Sequence, residues 1–131
     1  MKKEYIDQLN SEAKGFIKTH ELKVVDYKDN QCISEAPLLE CSLNPYGIAH
    51  GGFIYGLMDT CGALHIFFET KKRVVTTNSN VNFIKPCKGS KVVAKTKAIK
   101  IGKNICVIEV NAYNDKDELL TTGVFNYYYI D

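Results

Sequence analysis

The chain has 131 residues, 45% of them hydrophobic and 24% charged, with a formal net charge of +2. That balance suits one globular unit spanning 1–131 with a single core, leaves no room for a second independent domain, and gives a field too weak to point to nucleic acid or an anionic membrane surface. Five cysteines at irregular spacings, none in a CxxC pair, exclude a complete disulfide framework, and MKKEYIDQLN lacks the apolar stretch of a signal peptide, so the expectation is a cytoplasmic protein with no membrane partner.

Residues 2–18 carry Tyr5, Ile6, Leu9, Ala13, Phe16 and Ile17 at helical spacing among charges, which predicts an amphipathic N-terminal helix against the core. From Leu22 the rhythm shortens to runs of Val, Ile and Tyr, broken at Asp29-Asn30 and Pro37. Strands are expected at 22–28, 31–35 and 38–43. After Pro45-Tyr46-Gly47 the segment IAHGGFIYGLMDTCGALHIFFE places Ile54, Leu57, Met58, Cys61, Leu64 and Phe68 on one helical stripe and Phe53, Ala63 and Phe67 on another. A helix apolar on nearly every side must be central. Four strands follow at 74–84, 90–100, 104–113 and 118–130, expected as an antiparallel meander. The reading is α+β: a curled antiparallel sheet around one long helix.

Between Glu40 and Glu69 lie 28 residues, where a chain 24% charged should place about seven Asp, Glu, Lys or Arg, and only Asp59 is found. A carboxylate inside a core helix is disfavoured unless paired, and an acid held there is either a functional group or a polar residue reaching a wet notch. His50-Gly51-Gly52 stands where the helix begins. A helix start exposes unpaired N–H groups and partial positive charge, able to hold the oxyanion formed when a carbonyl is attacked; glycine admits a ligand to the backbone, although two glycines also serve tight packing. Asn44 opens the turn Asn-Pro-Tyr-Gly, where Asn commonly bonds its own backbone.

Taken together, Asn44-Pro-Tyr-Gly-Ile-Ala-His50-Gly51-Gly52 with Asp59 nine residues after the histidine resembles the active-site motif of PaaI-like hotdog acyl-CoA thioesterases. The likeness runs from about Glu21 to Tyr129 and includes Asn80-x-x-Phe83-x-x-Pro86. It implies a hotdog fold and hydrolysis of acyl-CoA. Asp59 would be nucleophile or general base, the Gly51 N–H would polarise the thioester carbonyl, and Asn44 and His50 would position water and thioester. A polar residue on the next strand also belongs to such sites; counting back from Pro86 gives Thr76, counting forward from Asp59 gives Thr77. No cofactor is implied, and the histidines and cysteines have no ligand-like spacing for a metal.

Eight helical residues between Gly51 and Asp59 are a rise of about 12 Å, so one chain cannot bring both to one carbonyl. Two antiparallel helices across a two-fold axis can, which predicts a homodimer, or a homotetramer built from dimers, with the Val74–Phe83 strand as the edge between mates. This agrees with the resemblance, in which sites lie between subunits. Coenzyme A would bring phosphates, for which Lys85 and Lys88 near Pro86 and Lys100 and Lys103 at a hairpin are candidates, each equally readable as an ordinary solvated lysine. The main alternative is a non-enzymatic hotdog domain that binds acyl-CoA as sensor or carrier, and the presence of Asp59 argues against it.

Overall fold

The structure, a computed structural model, describes residues 2–131. In chain order it has helices α1 (Lys2–Ser11) and α2 (Gly15–Thr19), strands β1 (Lys23–Lys28) and β2 (Gln31–Pro37), a 3-10 turn at Glu40–Ser42, the long helix α3 (Gly51–Thr70), and strands β3 (Val74–Phe83), β4 (Lys91–Ile101), β5 (Ile105–Tyr113) and β6 (Leu119–Tyr129). All neighbouring strands are antiparallel, in the order β1-β2-β4-β5-β6-β3. The expected hotdog architecture, a curled sheet around one central helix with helical structure before it, is the one observed.

Three local expectations change. The single N-terminal helix is two, because Gly15 takes a left-handed conformation, φ +59, that breaks the rod at an elbow. The expected strand at 38–43 is the 3-10 turn instead, leaving only an isolated bridge between Leu43 and Ala49. Pro37 ends the ladder of β2, and the Ser42 hydroxyl then accepts the Leu39 N–H at 3.3 Å, a local bond that competes with sheet pairing. Finally, only β4, β5 and β6 form a meander. Strand β3 pairs with β6 and lies at the far edge of the sheet, since Pro86 cannot continue a ladder and the 84–90 connection crosses instead of turning back.

Asp29 and Asn30, both at positive φ, close the tight antiparallel β1–β2 hairpin at the break expected between the two strands. Sheet residues alternate, so Val92 and Ala94, Cys106, Ile108, Val110 and Ala112, and Phe125 and Tyr127 point inward onto α3. The helix answers with Phe53, Ile54, Leu57, Met58, Cys61, Ile66 and the buried His65. Burial holds His65 below its usual pKa, so it sits neutral with Nδ1 2.7 Å from the Thr96 hydroxyl. All five cysteines are free, four of them buried. The helix face left half-buried carries Tyr55, Asp59 and Ala63, four residues apart, and it faces β3.

Candidate active site

Asp59 lies at the middle of α3 on that half-buried face, and β3 supplies its partner. The Thr76 hydroxyl donates to Asp59 Oδ1 at 2.5 Å, a short, charge-assisted bond. One helical turn earlier, the Tyr55 hydroxyl lies 2.5 Å from Ser79 Oγ, so the seam between α3 and β3 is polar at two successive levels. From β6, the buried Tyr127 hydroxyl donates to the Asp59 main-chain oxygen at 2.7 Å. Burial raises the Asp59 pKa above the ordinary carboxylate range, and the Thr76 and Tyr127 hydroxyls oppose that rise without cancelling it.

A bulge in β3 accounts for the two ways of counting to the threonine. The β3–β6 register shifts between Thr76 and Asn78, so Thr77 is the extra residue and one more position separates Asp59 from Pro86 than a regular strand would give. Thr76 faces Asp59, whereas the Thr77 hydroxyl donates to the Asn126 carbonyl at 3.2 Å on an exposed part of the edge.

At the helix start His50 is the N-cap: its Nδ1 accepts the Gly52 N–H at 2.8 Å, and its carbonyl accepts from Phe53 and Ile54. The Gly51 N–H takes part in none of these bonds. Cap and loop are held by backbone bonds from His50 N–H to the Ser42 carbonyl at 2.8 Å and from Ala49 N–H to the Cys87 carbonyl at 3.0 Å. Asn44 builds that loop, its Oδ1 accepting from the Tyr46 and Ile48 N–H groups at 2.9 and 3.3 Å. Its side-chain carbonyl is therefore consumed in the turn, and the Nδ2 amide is what remains for other contacts.

A cleft of about 290 Å³ opens beside Gly51, lined by Ile48, Ala49, Ile54 and the 83–87 segment. Asp59 does not line it. Within the chain the structure thus groups Gly51, His50 and Asn44 at one place and Asp59, Thr76 and Tyr127 at another, separated along α3 by the ~12 Å of two helical turns. Lys85 borders the cleft with its Nζ 2.6 Å from Glu118 Oε2, and Lys88 lies in the adjoining hollow with Asp115 and Lys116. Lys100 and Lys103 flank the β4–β5 turn at the opposite end of the sheet, where Ile105, Tyr128 and Val75 align, so the two lysine pairs are not neighbours in one chain. Among the described residues no three His, Cys, Asp or Glu side chains are gathered as metal ligands would be, and no helix is long and apolar enough to cross a membrane.

Sequence reasoning missed Tyr55, Ser79 and Tyr127 as parts of this seam. Tyr55 was legible as the residue one turn before Asp59 on the same face. Tyr127 reads from sequence as a strand residue, which it is, and nothing local marks the partner its hydroxyl meets.

Residues 46–121, which contain the helix start, α3 and the seam with β3, match the family described as the thioesterase superfamily. A relative from Haemophilus influenzae that carries an esterase name is 31% identical over 97 residues, covering 69% of this chain and 70% of its own. In structure, a thioesterase of Haemophilus influenzae is similar with a TM-score of 0.90 at 22% identity, over 96% of this chain and 90% of that one. A hypothetical thioesterase from Streptococcus pneumoniae TIGR4, crystallised with coenzyme A, is similar with a TM-score of 0.76 at 24% identity, over 83% of this chain and 88% of that one. With the family matched across most of the helix and sheet that build the seam, the chain belongs to the thioesterase superfamily.

Proposed function

We propose that the protein hydrolyses acyl-CoA thioesters to the free acid and CoA, in the manner of the PaaI-like branch of the superfamily, with Asp59 as the reactive carboxylate. The observation that carries this reading is Asp59 itself: the one charge in an otherwise uncharged stretch, half-buried, with one oxygen held by Thr76 and Oδ2 left for chemistry. Asp59 attacks the thioester carbonyl directly or takes a proton from the water that does. On either route a C–O bond forms, the carbonyl oxygen becomes an oxyanion, and the C–S bond breaks to release CoA thiolate, a leaving group that needs little protonation. Water attack gives the free acid at once, whereas direct attack gives an Asp59–acyl anhydride that water then cleaves to the free acid and the regenerated carboxylate.

The oxyanion would be received by the Gly51 N–H at the positive end of α3, with His50 holding the cap and Asn44 the loop. Because these groups and Asp59 stand two turns apart, the reading requires a homodimer with antiparallel α3 helices, each site taking Asp59 from one protomer and Gly51 from the other. The edge position of β3, with its outer backbone groups unpaired in the protomer, is a surface on which such a pair could meet. A dimer of dimers is compatible with the same contact. Lys85 and Lys88 stand near the cleft for the CoA phosphates, while Lys100 and Lys103 serve only if a second protomer brings them there. The pneumococcal neighbour crystallised with coenzyme A supports the choice of thiol. The acyl side is apolar where Ile48 and Ile54 line the cleft.

The test is a panel of acyl-CoA esters of graded chain length, aliphatic and aromatic, assayed by release of free CoA thiol. Hydrolysis of at least one member is expected. Binding without turnover across the panel would overturn the reading in favour of an acyl-CoA carrier.

The bulge sharpens a second expectation. Thr76→Val removes the donor to Oδ1, which costs roughly tenfold in kcat. It also moves the acid limb of the pH–rate profile to higher pH, because the bond being lost lowers the Asp59 pKa. Thr77→Val leaves both unchanged. Equal effects of the two substitutions would contradict the assignment.

A further inference from the structure

We propose that Tyr127 is a positioning residue for Asp59 and that Gly62 is the residue that lets it reach. The inference rests on Asp59 being the reactive carboxylate. Tyr127 is fully buried, stacked near Phe125, and fixed between two strands by pairing with Thr76 on β3 and Cys106 on β5.

Its hydroxyl meets a carbonyl in the middle of α3 that already has the helix's own i+4 N–H as a partner, so the bond is an additional one taken by the second lone pair. The helix gains no missing acceptor from it. What the bond adds is a fixed distance between the backbone of Asp59 and β6.

Thr76 and Tyr127 are directly opposed across the β3–β6 ladder. They hold the same residue at two points, Oδ1 by Thr76 and the main-chain oxygen by Tyr127. Two contacts from adjacent, hydrogen-bonded strands define both the place and the direction of the carboxylate, and they leave Oδ2 as the oxygen free to react. The Tyr127 hydroxyl remains a donor throughout, because burial and the neighbouring Asp59 charge push its pKa far above the usual phenol value.

A buried phenol needs some acceptor in any fold. Here, however, the sequence also accepts a cost for this particular one. A Cβ on Gly62 would collide with the Tyr127 hydroxyl, and glycine inside a helix is unfavourable by roughly 0.5–1 kcal/mol relative to alanine. The glycine therefore keeps open the approach that the clamp requires.

The experiment is a double-mutant cycle read in kcat and KM on the acyl-CoA that the wild type hydrolyses best. Tyr127→Phe deletes one oxygen and keeps the ring; kcat is expected to fall roughly 10- to 100-fold with KM within about twofold, the size of effect that a small misplacement of a reacting group produces. Gly62→Ala lowers kcat similarly, and adds less in the Tyr127→Phe background than alone, since the atom it collides with is gone. Tyr129→Phe is the control on the same strand. Its hydroxyl meets Cys106 Sγ at 3.1 Å, and kcat stays at the wild-type level.

A folded Tyr127→Phe enzyme with wild-type kcat, or additive effects of the two substitutions, overturns the clamp. Should Gly62→Ala fail to fold, Tyr127→Phe against Tyr129→Phe still decides. Activity retained in Asp59→Asn instead removes the functional reading on which the clamp stands.

Discussion

Asp59→Asn is expected to abolish thioester hydrolysis, a loss of roughly 10²–10⁴-fold or more in kcat, while the protein stays folded and self-associated. Asparagine keeps an oxygen that accepts from Thr76 and the main-chain oxygen that accepts from Tyr127, so the geometry survives and only the charge is lost. Stability should move the other way. The Asp59 pKa is raised by burial, so the folded protein binds the proton more tightly than the unfolded chain does. Its contribution is favourable at low pH and is lost as pH rises from the unfolded carboxylate value through the raised folded one. Above that raised value the wild type carries an ionised, half-buried carboxylate that Asn replaces with a neutral group. Thermal melts at pH 7 should therefore show the variant as stable as the wild type or more so, and the difference should shrink toward pH 4. Such a pattern is expected of a residue retained for activity at the expense of stability. Turnover at wild-type rates by the folded variant would remove Asp59 from the mechanism.

Gly51→Pro tests the other half of the site and its place in the assembly. Gly51 is the first residue of α3, where proline is tolerated because its missing N–H had no helical acceptor. His50 already has φ −67 and ψ 134, the extended conformation that a following proline demands. New side-chain atoms would meet the Phe83 ring, 3.3 Å from an added Cβ, a contact that a small ring shift relieves. The substitution thus deletes the proposed oxyanion donor with little change in backbone. Loss of one such donor costs roughly 10²–10³-fold in kcat.

Complementation then separates two arrangements. If each site takes Asp59 from one protomer and Gly51 from the other, a heterodimer of Asp59→Asn and Gly51→Pro chains contains one intact site and one doubly defective site. Refolding the two inactive chains together in equal amounts, with random pairing, should recover about a quarter of wild-type activity. Recovery of none, with heterodimers demonstrated by mass spectrometry, would show that the two groups do not cooperate between subunits.

Much of this was legible in the chain because it is written locally. The 28 residues with a single charge mark α3 as central and Asp59 as exceptional, since a helix buried on several sides can hold a carboxylate only under special terms. The glycines after His50 mark the helix start, and alternation marks the strands. The 38–43 segment misled because a short apolar run flanked by Pro37 has no periodicity to separate a strand from a turn. There the outcome lay with Ser42, whose hydroxyl bonds the backbone three residues back. The order of strands was misjudged for a related reason: four strands in sequence favour a meander, but the sheet had to place β3 beyond β6 for its inner face to meet the Asp59 side of α3.

By itself, then, the sequence determined an antiparallel sheet curled around one central helix and singled out the acid on it, because burial and periodicity act between residues a few positions apart; the hotdog family entered through the resemblance of the motif. Tertiary structure alone decided that Thr76 and not Thr77 holds the carboxylate, through a bulge that no propensity announces. It also decided that Tyr127, 68 residues away, meets the Asp59 backbone. Contacts of that kind depend on the register of strands brought together by the whole core, and a one-residue shift would turn each of those side chains to the opposite face.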